Sequence, residues 1–141
     1  MNTLNFLDAN VWLALIWDRH IHAERAREWH ERSYEEKFFF CRFTQITLLR
    51  LLTSSAIMGQ DVRKMSEAWD LWDQVCADDR VALLAEPDVI EPDFRRLSKA
   101  GSSSPKVWAD GYLLAFASVV GLRLVTFDKA LRSRSADVLV L

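Results

Sequence analysis

The sequence predicts an α/β fold, a parallel sheet of roughly five strands covered by helices on both faces. Three observations carry this. Short apolar runs of strand length alternate with stretches of helical periodicity. The strand-like runs are separated by helices, so they are joined by crossovers, and crossovers make strands parallel. A chain of 141 residues, 50% hydrophobic, is enough for one domain, residues 1–141, that hides both faces of such a sheet without disulfide staples.

The elements follow in order. Residues 4–7 read as the first strand and 11–17 as a short helix behind it. Residues 21–34 are helical, with Ala23, Ala26, His30 and Ser33 on one face. The aromatic run 38–41 is short and bounded by charge, which marks a buried strand. A helix over 46–52 precedes the clearest amphipathic segment, 61–77, where Met65, Ala68, Trp69, Trp72, Val75 and Cys76 fall at helical spacing. Residues 81–84 form a third strand, and 92–99 a helix. A Ser-rich loop ends at Pro105, which suits a helix start, and the helix runs over 105–120. Strands over 122–127 and 137–140 close the chain, with a helix beginning at Lys129 between them.

Composition narrows the function. The 18 Lys and Arg against 20 Asp and Glu leave a net charge of −2. Proteins that coat nucleic acid by bulk charge are strongly basic, so this is not one of them, although a local basic rim or a bound metal can supply the positive charge. Arg42, Arg50, Lys106 and Lys129 are candidates for that rim, with ordinary surface charge as the alternative. Cys41 and Cys76 lack the spacing of a zinc or redox pair and read as two buried free thiols of a reducing cytosol. The start, MNTLNFLDAN, lacks a basic stretch followed by an apolar run, and no apolar run approaches the ~20 residues of a membrane span. A soluble cytoplasmic protein is expected.

In parallel α/β sheets, ligands bind beyond the carboxyl ends of the strands, where the strand order reverses. Asp8 directly follows the first strand, and Asp128 directly follows the strand Leu124-Val125-Thr126-Phe127. Asp110 stands in an otherwise apolar helix, where a carboxylate requires a partner. Each has a structural alternative, a helix cap for Asp8 and Asp128 and a solvated face for Asp110. Brought together, the three would repel one another, and a hard divalent cation would remove that penalty.

The strings Leu7-Asp8-Ala9-Asn10-Val11-Trp12, Cys41-Arg42-Phe43-Thr44-Gln45, Trp108-Ala109-Asp110-Gly111-Tyr112-Leu113-Leu114-Ala115 and Val125-Thr126-Phe127-Asp128 occur in this order over nearly the whole chain. Together they resemble PIN-domain proteins, specifically VapC-type toxins of toxin–antitoxin pairs. The resemblance implies a three-layer α/β/α PIN fold and a Mg²⁺- or Mn²⁺-dependent endoribonuclease. Water attack would leave a 5′-phosphate and a 3′-hydroxyl. By position, Asp8, Asp110 and Asp128 match metal-holding acids, and Asn10 and Thr126 match supporting polar residues. A homodimer and a VapB-type antitoxin whose tail covers the site are implied as well, with Arg42 and Lys129 as candidate RNA contacts.

The sequence departs from the family at one acid. Gln45 stands where the second carboxylate usually is, which removes one negative charge and leaves an amide oxygen, a weaker ligand. A degenerate PIN domain that binds RNA or antitoxin without turnover is therefore the alternative. A receiver-like phospho-acceptor domain would need an acidic pair ahead of Asp8, and residues 1–7 contain no acid. The remaining candidates have ordinary explanations. His20, His22 and His30 lack zinc spacing and read as polar surface histidines. Glu86, Asp88, Glu91 and Asp93 read as first-turn acids, and Glu35, Glu36, Asp78 and Asp79 as solvated helix ends. Trp69 and Trp72 read as core or dimer contacts; Trp12 and Trp108 lie near the acids in sequence and are candidates for stacking on an RNA base if exposed, with core packing as the favoured alternative.

Overall fold

The computed structural model describes residues 3–134 and 137–141; the first two residues of MNTLNFLDAN lie outside the described part. Five parallel strands, β1 (Leu4–Leu7), β2 (Lys37–Phe40), β3 (Val81–Leu83), β4 (Arg123–Thr126) and β5 (Val138–Val140), form one sheet in the order β3-β2-β1-β4-β5. The order reverses between β1 and β4, whose register pairs Leu7 with Val125. The carboxyl ends of these two strands therefore form the crevice expected to hold a site.

Strand side chains alternate between two apolar layers. Leu7, Phe38, Phe40 and Val125 face α1 (Ala9–Ile16), α2 (Ala23–Arg32), α3 (Arg42–Leu52), the single turn α4 (Ser55–Met58) and α5 (Met65–Cys76). On this side Phe40 stacks on Trp12 at 4.1 Å between ring centroids and meets the edge of Trp72 at 4.6 Å. Phe6 and Leu124 face α6 (Ile90–Ser98) and α7 (Lys106–Val120) through Leu113, Leu114 and Phe116. Each fully buried Phe contributes roughly 1.5–3 kcal/mol relative to exposure. The sheet is thus covered on both faces, as predicted.

Several boundaries differ from the sequence expectations, for local reasons. The third helix begins at Arg42 rather than 46, because the Thr44 hydroxyl accepts the Cys41 N–H and closes the first turn. The amphipathic helix begins at Met65 rather than 61. Asp61 ends a 3₁₀ turn and its carboxylate accepts the Trp17 indole N–H at 2.8 Å, while Glu67 caps the later start by accepting the Lys64 N–H. That helix buries only Ala68 and Trp72, and Met65 and Trp69 stand exposed rather than in the core. The residues after Asp128 form a 3₁₀ turn (Lys129–Leu131) instead of a helix. Glu36 is no solvated helix end, since it accepts hydrogen bonds from Asn5, buried in β1, and from Arg123 of β4.

Candidate active site

Asp8 leaves β1 at the point where its backbone N–H still bonds to Val125 O of β4, at 2.9 Å. This places its side chain against the end of β4. The Thr126 hydroxyl, fully buried, donates to Asp8 Oδ2 at 3.1 Å and accepts the Asp128 N–H, also at 3.1 Å. One hydroxyl therefore links the two strand-end acids. Asp128 is also a cap, because its Oδ1 accepts the Ala130 N–H. The structural alternative is thus present at Asp128, while Asp8 stands at the N-cap of α1 without a full side-chain cap and with the Ala9 and Asn10 backbone N–H groups facing its carboxylate.

Helix α7 runs back toward the amino end of β4, so its own start lies over the carboxyl ends of the strands. Asp110 sits in its second turn. Lys106, one turn earlier, extends its ammonium to Asp110 Oδ2 at 3.1 Å and also donates to Asp128 Oδ2. Sequence reasoning misses this contact, since it offers Lys106 only as a candidate for a basic rim or as ordinary surface charge. The i,i+4 spacing of Lys106 and Asp110 was the available signal.

The electrostatics follow from this geometry. Burial pushes the Asp8 carboxyl above the usual carboxylate range; the Thr126 hydroxyl and the Ala9 and Asn10 backbone N–H groups oppose that, and the negative charge of Asp110 adds to it. The Lys106 hydrogen bond, helped by the Ala130 N–H, holds Asp128 below that range. Lys106 is raised in turn, with Asp128 as the larger cause.

Gln45 is buried in the first turn of α3, and its Oε1 accepts from the Arg42 guanidinium. Arg42 also lines an apolar cavity of about 460 Å³ shared with Phe43, Ile46, Phe94, Trp108 and Tyr112. Trp108 is exposed there, while Trp12 is buried against Phe40 and is not available to stack on a base. Tyr112 donates to Glu86 at 2.6 Å, so Glu86 serves as its acceptor rather than as a helix-start acid. Asn10 points to His20. The His22 N–H donates to His20 Nδ1, which leaves the proton on Nε2 to donate to Asn10 Oδ1 at 2.8 Å. Both imidazoles pack on Phe127. Lys129 is exposed beside Asp128, and Arg50 is exposed near the end of α3.

Among the described residues, no group of three or more His, Cys, Asp or Glu stands in metal-holding geometry. The donor chemistry nevertheless suits a hard cation. The linked side chains are carboxylates and a hydroxyl, with the Gln45 amide oxygen as a further oxygen donor in sequence terms, and oxygen donors suit Mg²⁺ or Mn²⁺. A cation already bridges two of the carboxylates, in the form of the Lys106 ammonium.

The family profile described as the PIN domain matches residues 6–136. The chain is 41% identical over 128 residues to Ribonuclease VapC41 of Mycobacterium tuberculosis, covering 87% of this chain and 88% of the relative. The chain belongs to the PIN-domain family, in its VapC branch. Solved structures agree in fold. VapBC2 of Rickettsia felis, crystallised with a fragment of its promoter DNA, superposes with a TM-score of 0.66, at 11% identity, over 99% of this chain and 98% of that one. FitAcB of Neisseria gonorrhoeae superposes with a TM-score of 0.64, at 19% identity, over 97% and 96%. Among the described residues, no helix of this PIN domain is long and apolar enough to cross a membrane.

Proposed function

We propose that the chain, acting as one PIN domain over residues 1–141, is a metal-dependent endoribonuclease toxin of the VapC type. The observation that carries this reading is the linkage of Asp8, Thr126, Asp128, Lys106 and Asp110 where the strand order reverses. Asp8, Asp110 and Asp128 would hold Mg²⁺ or Mn²⁺, with the Gln45 amide oxygen as a weaker helper. When bound, such an ion lowers the pKa of a water and stabilises charge on phosphate oxygens. The Thr126 hydroxyl fixes the Asp8 carboxylate, and the Asp128 backbone is tied to the same hydroxyl, so the acids move as one unit with the sheet. Arg42 and Lys129 would meet RNA phosphates at the rim.

The identity to a protein named as a ribonuclease, over most of both chains, supports this reading. The VapBC neighbour supports a VapB-type antitoxin as partner. Two separate exposed apolar surfaces could receive that antitoxin and a second copy of the chain in a homodimer: Met65 and Trp69 on α5, and Phe43, Ile46 and Trp108 around the α3–α7 cavity. A cytoplasmic location fits a toxin that acts on RNA.

The test is cleavage of defined RNAs by purified protein. Cutting should stop with a chelator and return with Mn²⁺ or Mg²⁺. RNA binding without turnover under saturating Mn²⁺ would replace the enzyme by a binding module. A second measurement addresses Gln45. Gln45→Glu should tighten Mn²⁺ binding by about threefold to tenfold, because it adds a carboxylate ligand while Arg42 neutralises part of the new charge. Calorimetric titration reads this directly, and equal or weaker affinity would place residue 45 outside the metal's surroundings.

A further inference from the structure

We infer that Lys106 is a built-in counter-ion of the site: its ammonium holds Asp110 and Asp128 together in the metal-free protein and must leave them before a divalent cation can enter. The inference rests on the proposed roles of the three aspartates.

The geometry is specific. Lys106 Nζ contacts Oδ2 of Asp110 at 3.1 Å and donates to Oδ2 of Asp128, so one side chain cross-links α7 to the end of β4. These are the carboxylates a metal would use. A divalent cation and an ammonium on the same oxygens repel each other, so the two occupancies exclude one another. Lys106 is also able to leave. Its side chain is 62% exposed, against 16% for Asp110 and 28% for Asp128. It therefore reaches in from solvent on a flexible stem, while the acids stay fixed on the fold.

The charge count shows why the bridge is a resting state rather than a permanent replacement. Lys106 touches two of the acids, whereas Asp8 receives no ammonium among the described residues and feels the Asp110 charge. One positive charge among three carboxylates leaves the cluster acidic. A doubly charged ion would neutralise more of it than one ammonium does. The lysine thus lowers metal affinity without abolishing it. It also limits the repulsion that would otherwise loosen the start of α7 from the sheet when no metal is present.

The experiment is Mn²⁺ titration of the full chain by calorimetry, parent against Lys106→Met, which keeps an apolar stem of similar length and removes the charge. The Met variant should bind Mn²⁺ about tenfold more tightly, since removing one nearby positive charge favours the cation. Its metal-free melting temperature should fall, so that added Mn²⁺ raises melting further than in the parent. Unchanged or weaker Mn²⁺ affinity overturns the inference. Should the variant fail to fold, the parent decides. Acetylation of Lys106 by acetic anhydride, followed by mass spectrometry of the peptides, should increase on adding Mg²⁺, and equal reactivity with and without Mg²⁺ would refute the displacement. Asp8→Asn separates this from the site assignment. If Asp8→Asn binds Mn²⁺ as the parent does, the proposed site itself fails. If Asp8→Asn loses Mn²⁺ while Lys106→Met leaves affinity unchanged, only the counter-ion role fails.

Discussion

Asp8→Asn is expected to lower RNA cleavage by about a thousandfold or more while the folded protein melts at a higher temperature than the parent at neutral pH in the absence of metal. The activity loss follows if Asp8 holds the metal as proposed, because the substitution removes one of its carboxylate ligands. The stability gain follows from its environment. Burial raises the Asp8 carboxyl in the folded state, and Asp110 adds to that. Between the unfolded value near 3.8 and the raised folded value, the native state binds more protons than the unfolded chain. Stability from this group is therefore full at low pH and falls as pH rises through that window. At pH 7 an ionised Asp8 subtracts from stability, and Asn, of the same shape, does not. The Thr126 hydroxyl can still donate to an amide oxygen, so the link to β4 survives. Thermal melts at pH 7 should favour the variant, and the difference should shrink below about pH 4. Saturating Mn²⁺ should reverse the order, because only the parent gains from ligand binding. A variant that cleaves like the parent, with contaminating nuclease excluded, would remove Asp8 from the mechanism.

Asp8 and Asp128 could be singled out in the sequence because each directly follows a strand, at the carboxyl end where parallel sheets bind ligands, although a helix cap explains each one alone. Asp110 was legible because Val, Trp, Ala, Tyr and Leu surround it in sequence. What joins them was less so. The Thr126 hydroxyl lies 118 positions from Asp8, and only the β1–β4 pairing makes them neighbours. Alternation of strands and helices fixes parallel crossovers but not which strand ends up beside which. The Glu36–Asn5–Arg123 network was hidden for the same reason, since its members lie on separate elements and each alone reads as surface charge or strand. Periodicity marked the apolar positions of α5 correctly but not the width of the buried stripe. Trp72 reaches Phe40, while Trp69, three residues earlier, stays outside. Gln45 is a different case. Its sequence position suggested a weakened metal ligand, and only the fold shows that its oxygen is already engaged by Arg42.

Gly111→Val should destabilise the protein by about 3 kcal/mol or more and lower melting by roughly 10 °C. Gly111 is inside α7, where glycine ordinarily weakens a helix, so its presence needs a packing reason. A Cβ built there would lie 2.8 Å from Ser98 Cβ and 3.1 Å from both Ser98 Cα and Ser98 N. Two of those three atoms are backbone of α6 and cannot turn away. Any side chain at 111 must push the two helices apart, and a branched one must push further. The consequence reaches the site, because Asp110 is the adjacent residue and Lys106 lies one turn before it, whereas Asp8 is fixed to the sheet. A displaced α7 moves one acid relative to the other two. Cleavage should therefore fall by more than the loss of folded protein explains, even at a temperature where the variant remains folded. Gly101→Val is the matching control, since a Cβ at Gly101 meets nothing within 4 Å. It should melt near the parent and cleave normally. If Gly111→Val melted as the control does, the close approach of α6 and α7 could not be what holds Asp110 over the strand ends.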